Sequence, residues 1–386
     1  MKVVQLTLRF DAPGGVETTV REVASRLPSH AVSPTVFASD LFDESSWERR
    51  TSWRPTVAGI PVRRFPVFKR LLPGITMPLM GGLLDALRTE RPDVIHAHSH
   101  RYGHVLQAAA VAKSSRIPLV VSTHYHPADR RESARKRALL RLQDVGFGMT
   151  AYRVARALVV ETELERRLIG EFAPADRIRV IPPGIDLEAW HGTESSDPPP
   201  PGTPPSYLLY AGRLASNKGL TFLLEAFAQL REGDRPGLVL MGHDWGEREG
   251  LRARARALGI DAHVQFLDYV EDPAQVRSIF RHALAFVLPS EWEAYGLVLL
   301  NAMAAHCPIV ATSVGGVPEA VGPNGAALLV PYGDPGALAA ALERVSTDAA
   351  LRQRLSAAGD RRVESLTWDR AVESHVALYR ELVGES

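Results

Sequence analysis

The stretch that decides the fold of this chain is PSEWEAYGLVLLNAMAAHCPIVATSVGGVPEA, residues 289–320. It begins where an apolar run ends, passes two carboxylates, Glu291 and Glu293, and starts a helical pattern near Gly296. A second apolar run and a pair of glycines follow directly. A strand, a helix and a further strand joined by short turns are typical of a parallel sheet covered by helices. Asn301 is the one amide among the apolar positions of the helical pattern, and it needs an explanation.

The same alternation of short apolar runs and helical patterns extends over all 386 residues, a length that fits two domains. The runs are apolar on both faces, which is typical of parallel strands between two helix layers. They read VVQLTL, PTVFAS, DVIHAH, PLVVST, ALVVE and IRVIP in the first half, and YLLYAG, GLVLMG, VQFLDY, LAFVLP, PIVATS and AALLVP in the second. The predicted fold class is therefore α/β, with two successive Rossmann-like, doubly wound parallel-sheet domains.

A proline-rich polar segment without periodicity, HGTESSDPPPPGTPPS at 191–206, is interpreted as the interdomain linker. It separates a first domain, 1–190, from a second, 207–366. The terminal segment, 367–386, carries an amphipathic helical pattern with no strand after it. That helix is expected either to cap the second domain or to cross back onto the first.

Composition narrows the class of protein. Apolar residues make up 45% and charged residues 23%, as in soluble globular proteins. The single cysteine, Cys307, excludes an internal disulfide framework and is expected to be a small buried side chain. No signal-peptide pattern and no membrane-spanning apolar run occurs, so a cytoplasmic protein is expected. The net charge is only +1, with basic residues in excess in the first half and acidic ones in the second; no nucleic-acid partner is expected.

Two loops that follow predicted strands carry candidate phosphate-binding groups. Gly14 and Gly15 lie between the first strand and the first helix, where they allow close approach of an anionic ligand or serve packing alone. In GRLASNKG, Arg213 and Lys218 flank a short loop before the next helix. Two cations at a strand end suit a departing diphosphate, whereas the alternative is a pair of solvated side chains.

The helix after Glu293 offers a further set of ligand-binding groups. Its first amides, at Gly296, Leu297 and Val298, lack intrahelical partners and can meet an anion. Glu293 is positioned to accept hydrogen bonds from sugar hydroxyls, or else caps the helix. Asn301 shares a helix face with Leu297, and its apolar neighbours favour a buried role with partners over a solvated one.

Histidines cluster in the first half, in DVIHAHSH (93–100) and STHYH (122–126). No carboxylate or cysteine set accompanies them, and no Asp-x-Asp pair occurs in the chain, so no metal cofactor is expected. His124 is expected to form a hydrogen bond across the ligand cleft, and His96 to be a core residue. The basic segment 129–143 is interpreted as a solvated helix face; contact with an anionic membrane is the less favoured alternative.

Taken together, these motifs resemble the retaining family-4 glycosyltransferases of the GT-B architecture, in which two Rossmann-like domains face a central cleft. The resemblance covers GGVE, VIHAHSH, STHYH, VVETELERRL, VIPPGID, GRLASNKG and the 289–320 stretch. It implies that the first domain binds an acceptor and the second a nucleotide sugar, and that the terminal helix crosses back onto the first domain. No cofactor is implied, because the nucleotide sugar is a co-substrate.

The resemblance assigns roles to individual residues. Arg213 and Lys218 match the family's phosphate-binding pair, Glu293 its first motif glutamate and His124 its cleft histidine. The amides of Leu297 and Val298 match those that meet the diphosphate. The family's second motif glutamate, which holds the ribose, is replaced here by Asn301.

The implied reaction is metal-independent transfer of a hexose with retention at the anomeric carbon. A UDP-sugar is the expected donor, with a GDP-sugar as the alternative. The acceptor is a hydroxyl compound, such as an aminoglycoside natural product, a lipid or a polysaccharide. Two rival functions stay open: an epimerase or hydrolase, which would consume nucleotide sugar without acceptor, and a non-catalytic sugar-nucleotide-binding subunit.

Overall fold

The structure, a computed structural model, describes residues 1–11, 14–43, 47–49, 55–72, 75–127, 133–191, 198–200 and 202–384. It divides into two compact units. The first consists of Met1–Pro183 and Trp368–Ser386, and the second of Gly184–Thr367. Each unit is an α/β domain with its own sheet and its own hydrophobic core.

The first unit contains a mostly parallel sheet. Its elements before residue 183 are β1 (Lys2–Leu6), α1 (Gly15–Arg26), β2 (Ser33–Ser39), β3 (Leu41–Asp43), β4 (Glu48–Arg49), β5 (Thr56–Val57), β6 (Ile60–Phe65), β7 (Val67–Leu72), β8 (Ile75–Met80), α2 (Leu83–Glu90), β9 (Val94–His98), α3 (Gly103–Ser115), β10 (Leu119–Ser122), α4 (Ala134–Phe147), β11 (Ala157–Val160), α5 (Glu163–Ile169) and β12 (Ile178–Val180). Among the described residues, eight strands pair in the order β12-β11-β10-β9-β1-β2-β6-β5. Only the edge pair β5–β6 is antiparallel, and β3–β4 and β7–β8 form separate hairpins.

The second unit contains a fully parallel sheet. Its elements are α6 (Leu187–His191), β13 (Tyr207–Ala211), α7 (Leu220–Phe227), β14 (Gly237–Met241), α8 (Arg248–Ala257), β15 (Val264–Leu267), α9 (Pro273–His282), β16 (Ala285–Leu288), α10 (Leu297–Ala304), β17 (Ile309–Thr312), α11 (Val317–Val321), β18 (Ala327–Val330), α12 (Pro335–Thr347) and α13 (Ala349–Val363). Six described strands pair in the order β15-β14-β13-β16-β17-β18. The order reverses between β13 and β16, which is where ligands bind in open α/β sheets.

The C-terminal helix α14 (Trp368–Val383) belongs to the first unit. It packs on α1 and β9, and its buried Tyr379 accepts a hydrogen bond from the Gln5 Nε2 atom on β1, at 3.1 Å. Its buried positions include Ala371, Val372 and Val376. An amphipathic helix without a following strand has thus buried its apolar face on the first unit, as the crossing alternative requires.

The two compact units divide the chain at a different position from the predicted domains. Residues 184–190 and Thr367 belong to the second unit, because Ile185 lies in its core and Leu187 and Trp190 pack against that core. The described residues of the proline-rich segment, 191, 198–200 and 202–206, fall within the second unit. Residues 192–197 and 201 of it lie outside the described residues. Proline excludes regular structure, but it does not require that a domain ends there.

Candidate active site

In the second unit, the loops after β13 and β16 bring Lys218 and Glu293 together. The two strands are neighbours in the sheet, so the residues that follow them meet at its carboxyl edge. The Lys218 Nζ atom donates to the Glu293 Oε1 atom over 2.6 Å, and the two side chains are only 14% and 13% exposed. The sequence predicted both residues as site residues, but it did not predict that they form a buried ion pair.

Glu293 is held as a carboxylate. Burial alone would raise its pKa, but the charge and hydrogen bond of Lys218 lower it, with smaller contributions from the Ser290 hydrogen bond and the charge of Arg213; the net pKa lies below the ordinary value. The Ser290 hydroxyl donates to the same Oε1 atom over 2.7 Å. Among the described residues no hydrogen bond reaches the Oε2 atom, which is the oxygen that a ligand hydroxyl can meet.

Two glycines let the backbones of these loops approach each other. Gly219, in the left-handed region at φ +66°, would place a Cβ atom 2.0 Å from the Pro289 carbonyl oxygen. Gly315, at φ +51°, would place one 1.9 Å from the Glu293 carbonyl oxygen, which accepts the Gly316 amide at 2.9 Å. No side chain fits at either position, so both glycines fix Glu293 and the Lys218 loop in place.

Arg213 follows β13 and is held differently from Lys218. Its guanidinium carbon lies 4.3 Å from the ring centroid of Trp245, a cation–π contact. Its backbone carbonyl accepts the Tyr210 hydroxyl at 2.7 Å. Within the part of the chain that the structure describes, Arg213 forms no ion pair, so its charge is available to an anion at the strand edge. Trp245 was missed by the sequence analysis, although it follows the neighbouring strand β14.

The helix α10 begins at Leu297, with Gly296 as its N-cap at φ 88°. No side chain caps this end, and the first amides of a helix have no intrahelical acceptor. Leu297, Val298 and Asn301 are half-buried, whereas the other residues of α10 are buried. These three positions therefore share the exposed face of the helix, beside its positive end.

Asn301 differs from its expected environment. It was predicted to be buried with hydrogen-bond partners, but it is half-buried, and among the described residues its side chain forms no hydrogen bond. Its amide therefore has donor and acceptor capacity left for a ligand or for water.

In the first unit, the Gly14–Gly15 turn contains a carboxylate. A Cβ atom on Gly14 would lie 2.1 Å from the Glu17 Oε2 atom. The buried Glu17 Oε1 atom pairs with the Arg9 Nη2 atom at 2.7 Å. A side chain at position 14 would require the Glu17 carboxylate to move, and Gly15 begins α1 directly after it.

His124 lies two residues beyond the end of β10, with its ring nitrogens facing two partners. Its Nδ1 atom is 3.0 Å from the Glu161 Oε1 atom, and its Nε2 atom is 3.3 Å from the His98 Nδ1 atom. Burial alone would lower its pKa, but the hydrogen bond and charge of Glu161, with the charges of Glu165 and Glu17, raise that pKa above the ordinary value.

Glu165 holds the turn that carries His124. The backbone of His124 has φ +43°, a conformation that costs energy for a residue other than glycine. On either side of it, the Thr123 hydroxyl and the Tyr125 amide donate to the Glu165 Oε1 atom over 2.5 and 2.7 Å. The Oε2 atom accepts the Glu161 amide at 2.8 Å. One buried carboxylate on α5 thus fixes both His124 and its partner Glu161.

His96 and His100 have structural roles. His96 is fully buried, as predicted, and contacts Tyr379 and Ser122. His100 and Arg101 both pair with Asp144 of α4, the histidine through its Nε2 atom at 2.7 Å. The pKa of Asp144 is lowered because these hydrogen bonds and charges outweigh its burial. This cluster fastens α4 to the sheet and was not predicted.

The basic helix is partly as expected. Arg130 and Arg131 lie outside the described residues, and α4 begins at Ala134. Its basic side chains at Arg135, Lys136, Arg137 and Arg141 are exposed. The predicted apolar stripe is divided, however, because Leu139 and Leu140 are half-buried and Leu142 is 68% exposed.

Three further features bear on the chemistry. Cys307 is buried, as predicted, and burial raises the pKa of its thiol, so it is a structural residue. Over the described ranges, no group of three or more metal-ligating side chains is found. No helix in those ranges has both the length and the apolarity needed to cross a membrane.

Comparison with known proteins places this geometry in a family. Residues 193–362 match the model of the glycosyl transferases group 1, and residues 13–189 that of glycosyltransferase family 4. A D-inositol 3-phosphate glycosyltransferase of Nocardiopsis dassonvillei is 30% identical, over 95% of this chain and 89% of that protein. A glycogen synthase of Mycobacterium tuberculosis is also 30% identical, over 76% of this chain and 69% of that protein.

Solved structures give the fold. Sucrose-phosphate synthase of Thermosynechococcus elongatus superimposes with a TM-score of 0.76 at 21% identity, over the whole of both chains. Anabaena HepE in complex with UDP-glucose gives 0.75 at 19% identity, over 99% of this chain and all of that one. The chain belongs to the family-4, group 1 glycosyltransferases and has the GT-B fold.

Proposed function

We propose that this protein transfers a sugar from a nucleoside diphosphate donor, with UDP as the nucleotide, to a hydroxyl group, with retention at the anomeric carbon and without a metal ion. The observation that carries the proposal is the grouping at the carboxyl edge of the second sheet. Three groups lie after the adjacent strands β13 and β16: Arg213, the Lys218–Glu293 pair and the start of α10. Among the described residues, Arg213 forms no ion pair and no side chain caps α10. Cations and helix-start amides stabilise a diphosphate as its charge grows.

Each group has a part in the proposed reaction. The bond between the anomeric carbon and the phosphate oxygen breaks first, and Arg213, Lys218 and the amides of Leu297 and Val298 stabilise the departing diphosphate. The acceptor oxygen then bonds to the anomeric carbon from the same face, and its proton passes to the departing phosphate oxygen. Glu293, ionised and with its Oε2 atom available, accepts hydrogen bonds from hydroxyls of the donor sugar.

The first unit is proposed to bind the acceptor, with His124 as its hydrogen-bonding group toward a substrate hydroxyl. The contact between the His124 Nε2 atom and His98 is long, at 3.3 Å, so it is weaker than the hydrogen bond that a substrate hydroxyl would form at an ordinary distance. The backbone of Gly14 and Gly15 is proposed to contact the donor, with the Glu17 carboxylate beside it.

The direct test is a donor and acceptor screen. Thermal shift with UDP-glucose, UDP-N-acetylglucosamine and GDP-mannose ranks the donors, and mass spectrometry then detects glycosylated products. Because curated relatives act on D-inositol 3-phosphate, the acceptor panel includes inositol phosphates beside aminoglycosides, lipids and oligosaccharides. NMR of the product reads the anomeric configuration, and an inverted product contradicts retention. Donor binding without turnover on the whole panel favours the non-catalytic subunit, and donor breakdown without acceptor favours the hydrolase or epimerase.

Metal independence is a separate expectation. It rests on the absence of an Asp-x-Asp pair from the sequence and on the presence of cations that can take over charge neutralisation. Turnover should persist at an unchanged rate in EDTA. Complete loss that Mg²⁺ or Mn²⁺ restores contradicts it.

Asn301 is proposed to bind the ribose of the donor. It lies one helical turn beyond Leu297 on the exposed face of α10, with its side-chain amide available. A neutral hydrogen bond contributes roughly 0.5–1.5 kcal/mol, so Asn301→Ala should lower kcat/KM for the donor about three- to tenfold. Donors with 2′- or 3′-deoxyribose serve as the matched probe. If the variant discriminates against both deoxy donors as strongly as the unmodified protein does, the ribose contact lies elsewhere.

A further inference from the structure

A chain of buried hydrogen bonds connects α14 to His124 through three strands. The Gln5 Nε2 atom donates to the Tyr379 hydroxyl over 3.1 Å, and its Oε1 atom lies 2.8 Å from the His98 Nε2 atom. The His98 Nδ1 atom then faces the His124 Nε2 atom at 3.3 Å. Gln5 and His98 are buried at 0% exposure, whereas His124 is half-buried, with its side chain 8% exposed. The chain ends on Glu161, 3.0 Å from the His124 Nδ1 atom.

The direction of each bond follows from what each atom can do. An amide oxygen only accepts, so the His98 Nε2 atom must carry a proton. His98 stays neutral, because burial and the neighbouring histidines lower its pKa well below the ordinary value; its Nδ1 atom is therefore a bare acceptor. The His124 Nε2 atom must then donate to it. Since the His124 Nδ1 atom faces a carboxylate, both nitrogens of His124 carry protons.

Rotating the Gln5 side-chain amide by half a turn would exchange donor and acceptor in each hydrogen bond from Gln5 to His124. With its nitrogen toward His98, Gln5 would donate, the His98 Nδ1 atom would carry the proton, and the His124 Nε2 atom would become an acceptor. An amide orientation of this kind is fixed only by its hydrogen bonds. Tyr379 accepts from Gln5 and lies 2.6 Å from the His96 Nδ1 atom. Its hydroxyl can donate there, because the His96 Nε2 atom can in turn donate to Ser122 at 2.8 Å.

Charged groups around His124 favour the orientation that protonates it. Glu161 at the end of β11 and Glu17 on α1 favour the cation. Glu165 on α5 does so only where it is ionised, because burial and the charge of Glu161 raise its own pKa to about 7. The neighbouring rings of His98 on β9 and His375 on α14 add no opposing positive charge. They stay neutral, because burial lowers their pKa values. The charges around His124 therefore favour the same orientation of the Gln5 amide as its hydrogen bonds, with the Oε1 atom toward His98.

We infer that Gln5 and Tyr379 are positioning residues whose hydrogen bonds determine that the His124 Nε2 atom carries a proton, and so that His124 offers a donor to a substrate hydroxyl. The use of that proton rests on the proposed function, but the protonation state itself does not. Gln5 lies near the N-terminus of the polypeptide and Tyr379 near its C-terminus. Through this hydrogen bond, the C-terminal helix α14 influences the protonation of His124.

The test is ¹⁵N NMR of the intact protein labelled at histidine, which reads each ring nitrogen separately. The His124 resonances are assigned by comparison with His124→Gln. At pH 6.5 more than half of the His124 rings should carry protons on both nitrogens, because the pKa lies above that value. In Tyr379→Phe and in Gln5→Leu, the His124 titration should move to lower pH. Loss of a hydrogen bond that favours a charged group should lower the protonation constant about tenfold.

Tyr207→Phe is the matched control. It also removes a buried tyrosine hydroxyl, one that donates to the Ile279 carbonyl at 2.7 Å in the second unit, and it should leave the His124 titration unchanged. A raised folded-state pKa contributes stability that is present at low pH and lost as pH rises through that pKa. Gln5→Leu should therefore reduce the loss of thermal stability seen on raising the pH through the His124 titration.

The outcomes separate this inference from the proposed function. A bare His124 Nε2 atom in the unmodified protein at pH 6.5 overturns the inference, as does an unchanged His124 titration in both variants. Neither result depends on turnover. If the protein shows turnover, the His124-dependent limb of kcat/KM against pH should move to lower pH in the variants but not in Tyr207→Phe.

Discussion

Lys218→Ala is expected to lower the free energy of unfolding by about 3–5 kcal/mol and to lower kcat by roughly a hundredfold or more. The stability effect arises because Glu293 stays in place, 13% exposed, without the ammonium that lies 2.6 Å from it. A buried carboxylate without a partner costs far more than an exposed one. The catalytic effect arises because one of the cations proposed to stabilise the diphosphate is removed. Urea denaturation and initial rates measure the two effects.

A double variant tests whether the loss of stability comes from the unpaired charge of Glu293. Glu293→Gln in the Lys218→Ala background removes the unpaired charge and keeps an acceptor for the Ser290 hydroxyl. It should recover most of the lost stability while turnover stays low. If the double variant regains turnover as well as stability, Lys218 acts only by neutralising Glu293 and has no part in stabilising the diphosphate. If Lys218→Ala alone retains full stability, the buried pair contributes nothing to the fold.

The strands of both sheets could be predicted because most of them are buried on both faces, and the edge strands β12, β15 and β18 are still apolar runs. All twelve apolar runs named in the sequence correspond to strands, six in each unit, including β1, β13 and β16. Such strands need no alternation to be recognised. The stretch from β3 to β8 was missed. Its strands pair in hairpins or near the sheet edge. β6 alternates buried and exposed residues around Pro61 and two arginines, so it is not an apolar run.

The site could be predicted only one loop at a time. The rule that ligands bind after parallel strands led to Arg213, Lys218, Glu293 and His124. Their partners could not be found, because pairing depends on which strands are neighbours. Lys218 and Glu293 are 75 residues apart, and they meet because β16 pairs with β13. Gln5 and Tyr379 are 374 residues apart. No local pattern predicts that a C-terminal helix reaches the first strand.

Asn301 and Gly14 show the limits of reading one residue at a time. Apolar neighbours in the sequence suggested that Asn301 was buried. The adjacent Leu300 and Ala302 are buried, but Asn301 lies on the same helix face as the half-buried Leu297 and Val298. Gly14 suited a ligand and packing equally, and nothing in the sequence indicated that the Glu17 carboxylate lies beside it. A side chain several residues away determines the environment in both cases.

Arg213→Ala is expected to lower kcat about a hundredfold while leaving the free energy of unfolding within roughly 0.5 kcal/mol of its original value. Arg213 differs from Lys218 in one decisive respect: within the described residues it forms no ion pair, and its guanidinium lies on the face of Trp245. Its charge makes only a smaller contribution to lowering the pKa of Glu293, which keeps Lys218 as its partner. Removing it therefore leaves no buried charge behind. Initial rates at saturating donor, together with urea denaturation, test both parts.

Two further variants identify what the guanidinium contributes. Arg213→Lys keeps the charge but loses the planar group that stacks on Trp245 and can bind two phosphate oxygens at once. Its turnover should lie between those of Arg213→Ala and the unmodified protein. Arg231→Ala is the matched control, because Arg231 is 79% exposed and pairs with Glu343 on the surface at 3.6 Å; it should change neither quantity. Near-normal turnover of Arg213→Ala would remove the arginine from the reaction and leave charge stabilisation to Lys218 and the amides of α10. A large loss of stability would mean instead that the contact with Trp245 supports the fold, and that any loss of turnover follows from it.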